Sequence, residues 1–323
     1  MKATAKSPAN IAFIKYWGKT DLKTRIPKNN SISMCLSDMF SVCTVEFRKD
    51  LKKDEVEFKG EKIVKKRELE RIIKTLDRVR KLGKTSLRAR VTTENNFPKA
   101  TGIASSASGL SAVTVAALGA LNIKMNTKEL SSLARLASGT AGRSIPDGFV
   151  EWVKGSEETE SYSEQILPVD WWEVCDVVAV VTKKMKKVSS TEGHKLAETS
   201  PFYKERLKGM EKKIIRIKKA MRERNFSKFG RIVEDEALNM HAICMTSQPS
   251  IIYWSETTVK IIKEVMRWRE EDLESYFTID AGPSVHVICE KKQAQKIKKR
   301  LLKVKGVERA VVNNPSTGAR LLA

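Results

Sequence analysis

The sequence predicts an α+β fold in two parts, on three observations. The chain has 323 residues, beyond the length at which a single hydrophobic core usually stops growing, so two domains are expected. With 41% hydrophobic and 31% charged residues it has enough apolar matter for a core and enough charge for a wetted surface. Strand-like runs and helix-like runs come in blocks rather than in regular alternation, which is α+β patterning. The boundary is placed in the basic stretch 183–187, giving an N-terminal part of residues 1–184 and a C-terminal part of residues 185–323.

The elements follow in order. Apolar or alternating runs at 9–14, 31–36 and 42–47 read as strands, with the polar turn Lys28-Asn29-Asn30 among them. Residues 64–82 carry Leu69, Ile72, Ile73, Leu76 and Val79 at helical spacing, and Gly83 ends that helix. A strand is expected at 88–93. Asn95-Asn96-Phe97-Pro98 then breaks the chain before a Gly- and Ser-rich stretch that opens into a small-residue helix over 110–121, and a second helix covers 128–137. The continuous apolar run 177–181 reads as a buried strand. Beyond the boundary come helices at 203–222, 228–245 and 255–268, strands at 276–279 and 285–289, a helix at 291–302 and a last strand at 309–313.

Composition removes several function classes. The formal net charge is +22, which attracts polyanions. Yet Lys and Arg are spread over 49–84, 183–187, 204–224 and 291–305, mostly among Glu, and the last two stretches read as amphipathic helices with a wet face. With no zinc-finger spacing, aromatic RNA-binding strand or basic heptad region, nucleic-acid binding is not the expected function. No run of about 18 apolar residues and no apolar leader occurs, so a cytoplasmic protein with no membrane partner is expected. Cys35, Cys43, Cys175, Cys244 and Cys289 are scattered without a C-x-x-C pair, which points to buried free thiols; the odd count leaves an intermolecular disulfide open.

Four stretches carry chemistry-bearing residues, each with a bland reading beside the functional one. Thr101-Gly102-Ile103-Ala104-Ser105-Ser106-Ala107-Ser108-Gly109 opens a helix with free backbone N–H groups and hydroxyls, which suits an anion; it is equally a tight Gly/Ser cap, and it is not a Walker A loop. Lys15, inside an apolar strand, either snorkels to the surface, the default for a lone lysine, or pairs with a carboxylate or phosphate. Arg143, among the small residues of Ser138-Gly139-Thr140-Ala141-Gly142-Arg143-Ser144, is either an exposed arginine ending a helix or a fork for a carboxylate or phosphate. Asp280 ends a strand before Gly282-Pro283. It is a turn former by itself, or, beside a lysine, an ionised group able to orient or deprotonate a hydroxyl.

Together, and in this order, these stretches resemble the GHMP kinase superfamily and, within it, the mevalonate diphosphate decarboxylases. The matching pieces are Ser7-Pro8-Ala9-Asn10-Ile11-Ala12, Lys15-Tyr16-Trp17-Gly18-Lys19, Asn30-Ser31-Ile32-Ser33, Asn95-Asn96-Phe97-Pro98, the Gly/Ser stretch, Ser138 to Ser144, Val188-Ser189-Ser190-Thr191-Glu192-Gly193, Met240-His241-Ala242 and Asp280-Ala281-Gly282-Pro283. The resemblance spans essentially the whole chain, and Lys-Tyr-Trp-Gly-Lys and Asn-Asn-Phe-Pro are its most specific parts. It implies a two-domain α+β fold with the active site in the interdomain cleft, usually as a homodimer. It also implies phosphorylation of the 3-hydroxyl of a mevalonate derivative by ATP with Mg2+, followed by loss of CO2 and phosphate. Asp280 and Lys15 would then act on the hydroxyl and Arg143 on the substrate carboxylate. Gly102, Ala104, Ser105, Ser106, Ser108 and Asn95 would hold the nucleotide, Ser106 also the metal. Tyr16, Lys19, Ser138, Thr140, Ser189 and Ser190 would line the substrate side.

Three departures from the familiar pattern bear on substrate choice. Pro146-Asp147-Gly148 stands where a Gly-Gly pair is usual, His194 where Met is usual, and Ser284 where Asn or similar is usual. Mevalonate 5-phosphate is therefore kept as an alternative substrate, and a kinase without decarboxylation as a third possibility. Among the histidines, His194 is read as a polar loop residue, and His241 and His286 as packed, hydrogen-bonded residues of a helix and a strand.

Overall fold

The computed structural model describes residues 1–21, 23–59, 66–97, 105–181 and 188–323, with the Ser105 side chain also outside the description. The first sheet is built on two long antiparallel strands, β1 (Lys2–Ile14) and β2 (Ser31–Arg48). The runs 31–36 and 42–47 are thus one strand. It reads as two because its first residues pair with β5 (Phe149–Trp152) and its last with β4 (Arg88–Asn95), with polar Ser37 and Asp38 between. β3 (Glu55–Phe58) lies outside β4, β6 (Ser163–Leu167) pairs with β5, and the C-terminal β11 (Arg320–Leu321) returns to pair with β1. These short strands are missing from the sequence reading because two to five residues leave too little alternation to see.

Helices α1 (Lys66–Leu82), α2 (Ser105–Ala120) and α3 (Thr127–Ala137) belong to this part. α2 begins five residues before the predicted start, so its opening serines are helical. Its alanines and valines pack with Val45, Val91, Ile72 and Leu76 in one apolar core. The small residues let it lie close to β1 and β2.

The second sheet has the order β10-β7-β9-β8, from β7 (Val174–Val180), β8 (Tyr276–Thr278), β9 (Val285–Glu290) and β10 (Arg309–Asn313), all antiparallel. This corrects the predicted boundary at 184/185: β7 is the middle of the second sheet, so the division falls before residue 174. The basic stretch that suggested the boundary lies outside the described residues. Around this sheet stand α4 (Ser190–Leu196), α5 (Tyr203–Arg222), α6 (Phe226–Thr246), α7 (Glu256–Glu270) and α8 (Ala294–Leu301). The two parts share a core in which Ile11, Phe13, Ile32 and Met34 meet Phe229, Val178 and Ile288. Phe13 and Phe229 make an edge-on ring contact at 4.9 Å. That contact brings the end of β1 against α6 and the end of β8.

Candidate active site

Lys15 follows the last residue of β1, and Asp280 lies two residues past β8. The shared core brings them together across 265 positions, with Lys15 Nζ donating to Asp280 Oδ1 at 2.5 Å. Lys15 is only 1% exposed, so the snorkelling default is overturned: a carboxylate partner is available inside, and the ammonium has no route to water. Burial pushes Lys15 below the ordinary lysine value, while Asp280 opposes that shift and Arg143 adds to it. For Asp280, burial works against its charge, but Lys15 and Arg143 together hold the carboxyl below the ordinary carboxylate range. Asp280 is therefore a carboxylate near neutral pH.

Arg143 is buried too, which removes the reading of it as an exposed loop arginine. The 3-10 turn Gly139–Ser144 tucks it under the first sheet, where Nε donates to Asn10 Oδ1 at 3.0 Å and Nη1 to Ser31 Oγ at 3.4 Å. Asn10 in turn donates from Nδ2 to Ser144 Oγ at 2.7 Å and to the Thr140 carbonyl at 3.2 Å. One asparagine thus ties the arginine to both ends of its own turn. Ser138 caps that turn, and its hydroxyl stands 3.4 Å from Ser106 Oγ, so the serine-rich helix start and the arginine turn adjoin.

At the start of α2, Ser106 is exposed and Ser108 is fully buried, its hydroxyl accepting from Ser41 Oγ at 2.7 Å. Ser108 is therefore not a direct nucleotide contact as expected: two positions along the helix turn it toward β2. Asn95 accepts from the same Ser41 hydroxyl. Gly102 and Ala104 lie outside the described residues, as does the Ser105 side chain. Asn95 and Ser106 line a cleft with Arg71 and the apolar Phe58, Ile72 and Leu110, a mixture that suits a flat base with a polar end.

Beside it lies a group of cations. Burial and the nearby Arg25, Arg71, Arg67 and Lys195 push Lys19 down to about 8. Burial together with Arg25 and Arg67 pushes Arg71 down to about 10. Their positions are set by main-chain contacts: Arg71 Nε donates to the Ala137 carbonyl and Arg25 Nε to that of Leu136, each at 3.1 Å. Like charges held this close are relieved by an incoming polyanion. Ser189 caps α4, its Oγ accepting from the Glu192 N–H and from Arg67 Nη1 at 3.5 Å, and Ser190 opens the helix.

Two family models match the chain. Residues 7–163 fit the diphosphomevalonate decarboxylase-like N-terminal domain, and residues 176–317 the mevalonate 5-diphosphate decarboxylase C-terminal domain. The chain belongs to the mevalonate diphosphate decarboxylase family. A diphosphomevalonate decarboxylase of Candida albicans is 31% identical over 319 residues, covering 93% of this chain and 88% of the relative. A phosphomevalonate decarboxylase of Haloferax volcanii is 32% identical over 289 residues, covering 89% and 88%. Among solved structures, MDDEF in complex with MVAPP, AMPPCP and magnesium superposes with a TM-score of 0.93 at 33% identity, covering 100% of this chain and 99% of that one.

Within this decarboxylase fold, Lys15, Asp280 and Arg143 stand together, and Tyr16, Lys19, Ser138, Thr140, Ser189 and Ser190 lie on the elements around them. Sequence reasoning missed Asn10 as a holder of Arg143, and Arg25, Arg67 and Arg71 as members of the cation group. Arg67 and Arg71 sit on α1, where charges read as a wet helix face; only the fold turns that face toward the loop after β1. His194 corrects its reading as a loop residue. It lies on α4, 8% exposed, with Nδ1 accepting the Gly18 N–H at 2.9 Å. Its ring stacks on Tyr16 at 4.2 Å and faces Trp17 at 4.5 Å. An accepting Nδ1 makes the ring neutral with its proton on Nε2. His241 and His286 are packed and hydrogen-bonded as expected, to the Ile279 carbonyl and to Asp176.

Gly18 has φ +89°, and a Cβ there would overlap the Tyr203 hydroxyl that donates to the Trp17 carbonyl at 2.7 Å. Gly18→Ala is expected to destabilise the protein by about 1–3 kcal/mol and to raise KM for the phosphorylated substrate, because the loop carrying Tyr16 and Lys19 must move. Thermal unfolding and steady-state kinetics on the one variant check both effects.

Proposed function

We propose that the chain catalyses the ATP-dependent decarboxylation of mevalonate 5-diphosphate to isopentenyl diphosphate. The observation that carries this is the buried Lys15–Asp280 pair with the buried Arg143 close enough to act on both charges, on a turn that adjoins the start of α2 through Ser138 and Ser106. A kinase-type helix start alone would support phosphorylation; a buried carboxylate plus an arginine for a substrate carboxylate supports phosphorylation followed by loss of CO2.

In this reading Asp280 orients the 3-hydroxyl and accepts its proton as the oxygen attacks the γ-phosphorus of ATP, releasing ADP. Lys15 keeps Asp280 ionised before transfer. When the C3–O bond then breaks, its electron pair leaves with phosphate. The electrons of the C1–C2 bond form the C2–C3 double bond, and C1 departs as CO2. Arg143, fixed by Asn10, holds the carboxylate in line for that cleavage. Lys19, Arg25, Arg67 and Arg71 neutralise the substrate diphosphate and the ATP phosphates, with Tyr16, Ser138, Thr140, Ser189 and Ser190 lining that side.

The nucleotide is assigned to the cleft beside Asn95 and Ser106. Among the described residues no group of three His, Cys, Asp or Glu side chains could hold a metal; of those residues the Ser106 hydroxyl is the one we assign to magnesium, together with phosphate oxygens, which suit this hard cation. When bound it supplies charge neutralisation on the transferring phosphate.

We assign the protein to the cytoplasm, since its five cysteines are buried free thiols suited to a reducing compartment; among the described residues no helix is long and apolar enough to cross a membrane. We also propose a homodimer. Leu238 and Met245 share one face of α6 and Val259 and Met266 one face of α7, each pair seven residues apart, and all four are exposed apolar residues, as is Ile252 between the helices, which suits contact with a second copy.

The test is a parallel assay with Mg-ATP and mevalonate, mevalonate 5-phosphate or mevalonate 5-diphosphate, measuring kcat/KM for CO2 release. The diphosphate is expected to be preferred; preference for the monophosphate would move the chain to the activity of its Haloferax relative. With the preferred substrate, kcat is expected to fall on the acid side as Asp280 takes a proton, below the ordinary carboxylate value of 3.8. It is expected to fall on the alkaline side as Lys15 loses its proton, below the ordinary lysine value of 10.5. An alkaline limb at or above that value would remove Lys15 from the mechanism.

A further inference from the structure

Lys15 leaves β1 just as the strand ends, so its peptide N–H and C=O have no ladder partner, and a buried main-chain group without a partner is costly. Both are taken by one ion pair from the second part of the molecule. Glu236 Oε1, on α6, accepts the Lys15 N–H at 3.1 Å, and Arg206 Nη2, on α5, donates to the Lys15 carbonyl at 3.1 Å. The same nitrogen of Arg206 donates to the same oxygen of Glu236 at 2.5 Å. Both side chains are completely buried. Asn29 Nδ2 donates to the Lys15 carbonyl from the first part at 3.0 Å. The other oxygen of Glu236 receives Lys213 Nζ at 2.6 Å, from a lysine 22% exposed at its side chain.

Simple packing does not call for such an arrangement. A buried ion pair is a poor way to gain stability compared with apolar residues of the same volume. Its value here is geometric, because it fixes the peptide from which the catalytic ammonium projects, and it does so from the part of the molecule that carries Asp280. We propose that Glu236 and Arg206 are positioning residues, an interdomain clamp on the Lys15 peptide that sets the Lys15–Asp280 geometry. This rests on the function proposed above for that pair.

Glu236 also acts through charge. The groups that act on the Lys15 ammonium are Asp280 past β8, Arg143 from the 3-10 turn, and Glu236 and His241 on α6; Arg206 and Lys213 on α5 are bound to Glu236. His241 is pushed down to about 3 by burial and by Lys15, so it is neutral in the working range. Glu236 favours the charged form of Lys15, while Arg206 and Lys213 are paired with Glu236 and compensate its charge. Removing the Glu236 charge therefore makes Lys15 lose its proton at lower pH, and removing Lys213 makes it lose its proton at higher pH.

The experiment compares the full-length wild type with Glu236→Gln and Lys213→Met, following Lys15 by NMR of isotope-labelled lysine, with its signal assigned by Lys15→Arg. Steady-state kinetics run alongside. Glu236→Gln is expected to lower the Lys15 titration midpoint and the alkaline limb of kcat together, and to reduce kcat about 10-fold with KM for both substrates within about 2-fold, since only the reacting pair is disturbed. Lys213→Met is expected to shift the midpoint upward with kcat within about 3-fold. A merely structural role gives the two variants no such opposite shifts. An unmoved midpoint in folded Glu236→Gln, or a fall in kcat without it, overturns the proposal. If Glu236→Gln does not fold, an unmoved or lowered midpoint in Lys213→Met overturns it. The NMR titration reads the clamp without turnover, so a wild type that releases no CO2 would refute the proposed function while leaving this test intact.

Discussion

Asp280→Asn is expected to lower kcat for CO2 release by about 10³-fold or more, the scale on which a positioned acid–base group acts, while KM for ATP stays within a few-fold. Asparagine fills the same space, so the cleft beside Asn95 and Ser106 is left alone, but it cannot take the 3-hydroxyl proton. It also leaves Lys15, 1% exposed, as a buried cation without its counter-ion, and breaking a buried pair from one side costs roughly 3–5 kcal/mol. Turnover and thermal stability should therefore fall together. The double variant Asp280→Asn/Lys15→Met separates the two: with neither charge present, stability should recover in part while activity stays absent. Retained CO2 release in Asp280→Asn would remove the carboxylate from the reaction.

Arg143→Lys is expected to reduce kcat/KM by about 10²–10³-fold with the charge unchanged. Lysine lacks the planar fork, so the bonds to Asn10 Oδ1 and Ser31 Oγ and the two-pronged hold on a substrate carboxylate are lost together. The freed Asn10 oxygen is buried, which adds about 1–3 kcal/mol of lost stability. Asn10→Ala, which touches the substrate only through Arg143, should show a smaller loss in the same direction. Unchanged kinetics in Arg143→Lys would show that the guanidinium is not the carboxylate's partner.

How much of this is legible in the sequence depends on the distance each feature spans. The long helices over 203–222 and 228–245 carry their own 3.6-residue periodicity, and the structure places α5 and α6 within two residues of those limits. The apolar run 177–181 announces a buried strand, but nothing local says which sheet takes it, so a boundary read from the basic stretch after it falls on the wrong side of β7. Lys15 is the sharpest case. By itself an apolar strand with one lysine favours snorkelling, and the partner that reverses this is 265 positions away; only the resemblance joined the two. Arg67 and Arg71 fall among the charges of an amphipathic helix with no mark to set them apart. Glu236 and Arg206 likewise sit on charged helices, and their role exists only where two elements from different parts meet one peptide.

The central claim is that phosphorylation and decarboxylation occur in one site. Its most direct test is a single turnover with enzyme in excess over mevalonate 5-diphosphate and with Mg-ATP supplied, counting ADP, inorganic phosphate and CO2 against time. Equal final amounts of all three, with ADP appearing no later than CO2, are the predicted result. ADP formed without CO2 and phosphate would contradict it, leaving a kinase whose Lys15–Asp280–Arg143 constellation serves phosphoryl transfer alone.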